Sequence, residues 1–297
     1  MPLLILLIPS LIVLIAVFAL PLCRYVWLSL HADSVMTGLV AIPNQGANWE
    51  RFIQDARYWQ DLLQTLRFAF VSVTAEIVLG LIIALILNQP LRKRALVRSS
   101  SLIPWALPTT VMALGWRWIF NTPYGPIDRL MQSGLGRSLN ALGEPSIAWI
   151  TTVYADIWKT TPFVALILLA GLQTIPADLY EAAKLEGAGP WICLRRITIP
   201  LLLPYLGLAL MFRLAQAFGV FDLVQVMTGG GPASSTESIA LYAYWNALRF
   251  LDFGYSATIM IGSFVILSSL IVIAWLVITA MRSRSAGAFS KCDQHDS

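Results

Sequence analysis

Charge is what this chain has least of: 12% of its 297 residues are Asp, Glu, Lys or Arg, about half of the roughly 25% usual in a soluble domain. So few charged side chains cannot clothe a water-facing surface, which excludes a single soluble enzyme domain and a disordered chain. The 58% apolar content and mean hydropathy of +0.72 place the chain in lipid instead. Cysteine and histidine are scarce as well. Cys23, Cys193 and Cys292 stand far apart, and His31 and His295 are the only histidines. That set builds neither a metal centre nor a disulfide framework. Motifs of the GxxxxGKS/T, HExxH and GxSxG kinds are missing, and no Lys follows the run Gly229–Pro232. Any nucleotide hydrolysis must therefore come from another protein. The net charge of +4 matters less through its sign than through where the basic residues fall, and nucleic acid is not an expected partner.

What the chain has in abundance is long apolar runs. A bilayer core about 30 Å thick needs about 20 mostly apolar helical residues. Six runs meet that need: roughly residues 3–30, 62–87, 99–120, 146–175, 201–225 and 257–280. The expected fold is all-α: a polytopic membrane protein of six transmembrane helices in one domain, 1–297. The first run lacks a basic flank, and its apolar stretch from Pro2 to Cys23 exceeds a signal-peptide core, so it reads as a retained helix. Pro104 and Pro108 interrupt the third run, where neighbouring helices or water must satisfy the freed carbonyls. Six spans put both termini on one side. Connections on that side hold Arg92, Lys93, Arg94, Arg98, Lys184, Arg195, Arg196, Arg282, Arg284 and Lys291; the others hold Arg51, Arg57, Arg129, Arg137 and Arg249. Lys and Arg gather in cytoplasmic connections, so the first set and both termini are expected inside.

Residues 176–200 form one of those inner connections. Pro176 and Asp178 suit a helix start, Glu181 to Glu186 are good helix formers, and Gly187 with Gly189-Pro190 ends the helix. A small helix pinned this way, with Ala182 and Ala183 beside an exposed Glu181, is shaped to enter a groove on another protein. On physical grounds alone it can equally be a well-capped connection.

Glu181-Ala182-Ala183, three residues, Gly187, nine residues, Ile197, one residue and Ile199-Pro200 resemble the EAA signature of ABC-importer permeases, with Ile199 in place of its Leu. Met227-Thr228-Gly229-Gly230-Gly231-Pro232 followed by Ser235-Thr236-Glu237 is similar to the LTGGGP…TE segment of the carbohydrate-uptake, maltose-type subfamily. Pro104-Trp105, Trp116-Arg117-Trp118 and Tyr124-Gly125 fit it too. The likeness spans essentially the whole chain, apart from a missing basic N-terminal tail. It implies a type I permease fold and an inner-membrane subunit that is not itself an enzyme. Its implied partners are a second homologous permease, two ATP-binding cassette subunits that hold the ATP and Mg, and an extracytoplasmic solute-binding protein. The chain itself would need no cofactor. Glu181, Ala182, Ala183 and Gly187 would lie in the coupling helix that sits in a cleft of one ATPase, small where the partner surface comes close. ATP turnover in the partners would then drive alternating access and carry a sugar or related polyhydroxy solute inward.

Ionisable residues at membrane depth are costly and mark candidate sites. They are Glu76, Asp156, Lys159, Arg213 and Asp222. Asp156 and Lys159, three apart, can pair on one helix, and Glu76 can balance Lys159 or Arg213. Arg67, Arg117 and Asp222 lie nearer span ends and read as headgroup anchors. A sugar site needs an aromatic platform with donors and acceptors around it. Such residues share helix faces in three places: Trp105 with Thr109, Asp156 with Thr160 and Phe163, and Arg213 with Gln216 and Ala217. The resemblance implies that these stretches line the pocket. It leaves Lys159 and Arg213 as departures that either meet a different substrate or neutralise Asp156 and Glu76. Most of the eleven tryptophans are expected at interfaces or in packing. The segment 227–255 reads as a docking surface or a re-entrant helix. An ion-coupled secondary transporter working through Glu76, Asp156 and Lys159 is the rival reading; it calls for inverted repeats, and none is visible in the sequence.

Overall fold

The computed structural model describes residues 2–90 and 94–293, with side chains described over 8–90 and 95–280. Arg92, Lys93 and His295 lie outside the described residues, as do the side chains of Arg94, Arg282, Arg284, Lys291 and Cys292. Helix dominates. In chain order come α1 (Ile8–Ser29), a two-residue antiparallel pair of β1 (His31–Ala32) with β2 (Ile42–Pro43), α2 (Ala47–Gln54) and α3 (Ala56–Asn88). Next are α4 (Arg94–Ser101), α5 (Ile103–Ala106), α6 (Thr109–Ile119), α7 (Pro126–Leu135), α8 (Pro145–Leu172) and α9 (Ala177–Leu185). The last are α10 (Pro190–Phe218), α11 (Asp222–Met227), α12 (Ile239–Leu248) and α13 (Phe253–Asp293).

Five helices among the described residues, α1, α3, α8, α10 and the first part of α13, are long and apolar enough to cross a membrane. The third expected span differs. Residues 99–120 are the end of α4, then α5 and then α6, because Pro108 has no N–H to give and forces Leu107 before it into an extended conformation, φ −70° and ψ 137°. The fifth expected span, 201–225, stops at Phe218 and restarts at Asp222.

Packing divides the described residues into two compact units. One comprises the chain up to Gln64 with Glu237–Leu267; the other comprises Thr65–Thr236 with the chain from Ser268 onward. In the first unit α3 is started by Asp55, whose Oδ1 accepts the backbone N–H of Arg57 at 3.0 Å and of Tyr58 at 3.2 Å. Ser238 caps α12 in the same way, accepting from the Leu241 N–H at 3.3 Å. In the second unit α3, α8 and α10 enclose a core of Ala84, Val164, Leu168, Leu202 and Ala209. Association inside lipid favours small residues that let backbones approach. Gly80 is such a residue: a Cβ there would lie 2.6 Å from Val164 Cγ1, so α3 and α8 touch with nothing between them.

Candidate functional site

The second unit holds a cavity of about 310 Å³, at the lower end of the ~300–1,000 Å³ of small-molecule sites. Trp105, Thr109, Asp156, Lys159, Thr160, Arg213 and Gln216 line it, together with Gly219–Leu223. Phe163 and Ala217 stand behind the wall. Phe163 stacks on Trp105 with ring centroids 5.5 Å apart and planes at 19°, and it meets Phe212 edge-on at 6.1 Å. Ala217 is buried in an adjoining core with Val153 and Leu223. Trp105 therefore has one face held and 43% of its surface exposed, the form of a rigid stacking platform.

The polar wall is organised by Arg213, 1% exposed in the middle of three helices. Its Nε donates to Glu76 Oε2. Its Nη2 donates to Glu76 Oε1 and to Asp156 Oδ2, both at 3.0 Å, and its Nη1 donates to Gln216 Oε1 at 2.7 Å. The Thr160 hydroxyl lies 2.6 Å from both Glu76 Oε1 and the Asp156 carbonyl. Of the two partners considered for Glu76, the structure selects Arg213. A planar fork that engages two carboxylates at once is a task for guanidinium rather than ammonium. Removing a partner from such a buried cluster is costlier than the pairing is stabilising, because it strands a charge.

Lys159 does not pair with Asp156. Its Nζ donates to the Leu107 carbonyl at 2.6 Å, which is the group freed where the chain breaks before Pro108. The interrupted span is thus satisfied from a neighbouring helix, and Lys159 is held at the cavity wall. Asp222, read from sequence as a headgroup anchor, lines the cavity instead. The signal for that was the Gly219–Asp222 interval itself, a stop residue followed three positions later by a helix-starting acid, inside a run whose apolarity masked it. Arg67 sits over the Trp149 ring at 4.3 Å, and Arg117 donates to the Val226 carbonyl at 3.2 Å.

The second candidate site is α9. Glu181, Ala182 and Gly187 are exposed and Ala183 is half-buried, and every residue of the helix is exposed or half-buried. Its end is locked by two bonds, Gly187 N–H to Lys184 O at 3.0 Å and Ala188 N–H to Ala183 O at 2.9 Å, with Gly187 at φ +81°. That is a Schellman closure, and the left-handed residue in it favours glycine. Leu185, the last residue of α9, is 91% exposed, and Trp191 beyond the closure is 71% exposed.

The first unit carries a different polar cluster. Asp55 Oδ2 accepts the hydroxyls of Tyr242, at 2.7 Å, and Tyr255. Arg57 donates to both oxygens of Glu237 at 2.8 and 3.0 Å, and Arg51 pairs with Asp252 at 2.8 Å. Burial pushes the Asp55 carboxyl up, but the bonds from Tyr255, Tyr242 and the Tyr58 and Arg57 amides outweigh it and hold the group below its ordinary value. Burial and the neighbouring Asp55 push the Tyr242 phenol up to about 12. This cluster borders an open groove of about 560 Å³ lined by Glu50, Arg51, Gln54, Asp55, Arg57 and Tyr242. The segment after residue 227 contains the helix α12.

Residues 76–285 match the family described as binding-protein-dependent transport system inner membrane component. The chain is similar to the trehalose/maltose transport system permease protein MalF of Thermococcus litoralis, 43% identical over 89% of each chain. It is also similar to the sulfoquinovosyl glycerol transport system permease protein SmoG of Agrobacterium fabrum, 36% identical over 87% of this chain and 84% of that one. Among solved structures, it shares its fold with the crystal structure of a bacterial ABC transporter involved in the import of the acidic polysaccharide alginate. The TM-score there is 0.80 at 19% identity, over 94% of this chain and 95% of that one.

Proposed function

Because the chain belongs to the family of binding-protein-dependent transport system inner membrane components, we propose that it is the membrane-spanning permease subunit of an ABC importer for a sugar or related polyhydroxy solute. It works beside a second homologous permease, takes solute from an extracytoplasmic binding protein, and is driven by two ATPase subunits that hold the ATP and Mg. The chain binds no nucleotide and carries out no chemical step. It lies in the inner membrane with both termini and α9 on the cytoplasmic side.

One observation carries this reading: α10 starts beside the exposed helix α9 and ends in the wall of the polar cavity. A ligand that drives a switch must interact differently with its two states. Here α9 is the part a nucleotide-dependent partner can hold differently, and α10 is a continuous element leading to the solute. In the cavity Trp105 supplies a flat apolar platform, and Thr109, Lys159 and Gln216 supply donors and acceptors at its edge. Arg213 keeps Asp156 and Glu76 in place, with four of its five N–H donors engaged. The ion-coupled alternative drawn on Glu76, Asp156 and Lys159 needs one of these groups at liberty to exchange an ion, whereas Arg213 holds both carboxylates and Lys159 donates to the Leu107 carbonyl. The neutral glycosides named for one relative and the sulfonated one named for another are the first solutes to try.

Uptake of labelled trehalose and maltose into proteoliposomes holding the complete complex tests the reading. We expect import that requires ATP and survives a proton ionophore, and that Glu181→Lys and Gly187→Pro abolish while the chain still inserts. Normal import by both variants would refute the role of α9.

A further inference from the structure

Nine residues are too few to hold a helix in water without tertiary support, and α9 has no buried residue. A force applied to α9 reaches the rest of its unit only through its attachments. Its covalent exit runs through Gly187, closed onto the helix end, and then Gly189, where no Cβ stiffens the backbone beyond that closure. Its noncovalent attachment across that exit is Tyr180, whose hydroxyl lies 3.0 Å from Thr198 Oγ1. Thr198 is 4% exposed and is the last residue of a π-helical turn, Leu194–Thr198, in α10. Turns of that kind often mark functional bends.

The direction of the bond follows from counting protons. A threonine hydroxyl has one to give, and Thr198 donates it to the Cys193 carbonyl at 3.3 Å. Tyr180 is therefore the donor and Thr198 Oγ1 the acceptor. From residue 198 to residue 213 the same helix rises ~22 Å at 1.5 Å per residue, and there Arg213 grips Glu76 of α3 and Asp156 of α8. Farther down, the Tyr205 hydroxyl reaches Thr174 at 3.4 Å, just past the end of α8.

We propose that Tyr180 is a positioning residue for coupling: by donating to Thr198 it fastens α9 to the π-helical turn of α10, so that displacement of α9 moves the Arg213 end instead of dissipating in Gly187–Gly189. The proposal rests on the coupling role given to α9 above. Tyr180 touches neither solute nor nucleotide and acts through Thr198.

The test uses the complete complex in proteoliposomes and reads labelled trehalose, with maltose as a second probe, imported per ATP hydrolysed. Tyr180→Phe removes the donor while Thr198 keeps its bond to Cys193, so no buried proton is stranded. The ratio is expected to fall about fivefold, the scale of one lost hydrogen bond. Thr198→Val, which removes the acceptor, should match it, and Thr198→Ser, which keeps the acceptor, should retain the wild-type ratio. A merely structural role would lower the amount of complex and leave the ratio unmoved, and that result overturns the proposal. So does an unchanged ratio in Tyr180→Phe, which leaves the role of α9 standing. A wild-type complex that imports neither sugar in an ATP-dependent way overturns the importer reading, and the proposal with it.

Discussion

Two carboxylate clusters, one in each compact unit, solve the burial of charge in opposite ways. Around Arg213, two acids share one guanidinium, and the partners come from the interiors of three long apolar helices. Around Asp55, one acid is satisfied by two phenols and two backbone amides at the start of a helix, with the cations of Arg51 and Arg57 turned to other acids nearby. The first arrangement depends on a shared cation, because Arg213 and Glu76 are almost wholly shielded. The second depends on hydrogen bonds that neutral groups can give, and its cations are 40% and 53% exposed at the side chain. The cavity wall lies on the first, so the rigidity of the proposed solute site is tied to a charge balance.

The sharpest way to break the contrast is Arg213→Ala. It strands Glu76 and Asp156 together and should destabilise the protein by about 3–5 kcal/mol, read as a drop in the thermal unfolding midpoint in detergent. Arg213→Lys keeps the charge but not the two-carboxylate fork, and should recover only part of it. Asp55→Ala strands neutral donors rather than charges, and its expected cost is smaller, about 1–3 kcal/mol. A cost for Asp55→Ala equal to that of Arg213→Ala would erase the distinction.

The pH dependence sharpens it further. The Asp55 carboxyl titrates below its ordinary value of 3.8 when folded, so the folded state binds fewer protons there than the unfolded chain. Its contribution is complete above that ordinary value and is lost as pH falls below it through the folded value. The unfolding midpoint attributable to Asp55, taken as wild type minus Asp55→Asn, should stay flat through neutral pH and shrink only in strong acid. The smallest effect belongs to Arg51→Ala. Its side chain is 53% exposed, and losing its pair with Asp252 and its place over the Tyr255 ring, 3.7 Å away, should cost about 1 kcal/mol, a small shift of the midpoint.

How far the sequence revealed these features depended on the length scale of the interaction. Apolar runs declare themselves locally, which is why the run 146–175 overlies α8 to within three residues at each end, while α3 starts six residues before its run and α13 continues beyond its own; Pro176 and Gly187 flank α9 for the same local reason. The proline-broken third run was visible as a problem, while its solution, Lys159 capping Leu107, joins residues 52 apart. Glu76 and Arg213 were recognisable as a possible tie because unpaired charge in lipid demands a partner. The recruitment of Asp156 by the same guanidinium, instead of by Lys159 one turn away, depends on helix rotation that apolar periodicity fixes only loosely. The Asp55 cluster was invisible for a related reason: its phenols lie 187 and 200 residues downstream, and nothing in a tyrosine's immediate sequence announces a distant carboxylate. Asp222 was assigned to the end of a helix because the apolar run continued past Phe218, although the backbone did not.

The central claim is that α9 is where the motor takes hold, and site-specific cross-linking tests it most directly. With Cys23, Cys193 and Cys292 replaced and Ala182→Cys introduced on the exposed face of α9, a short bifunctional reagent applied to the assembled complex should join this chain to an ATPase subunit, with a yield that changes when ATP is added. A complex that copurifies intact with its ATPases yet gives no such product from residue 182, with or without ATP, would contradict the account.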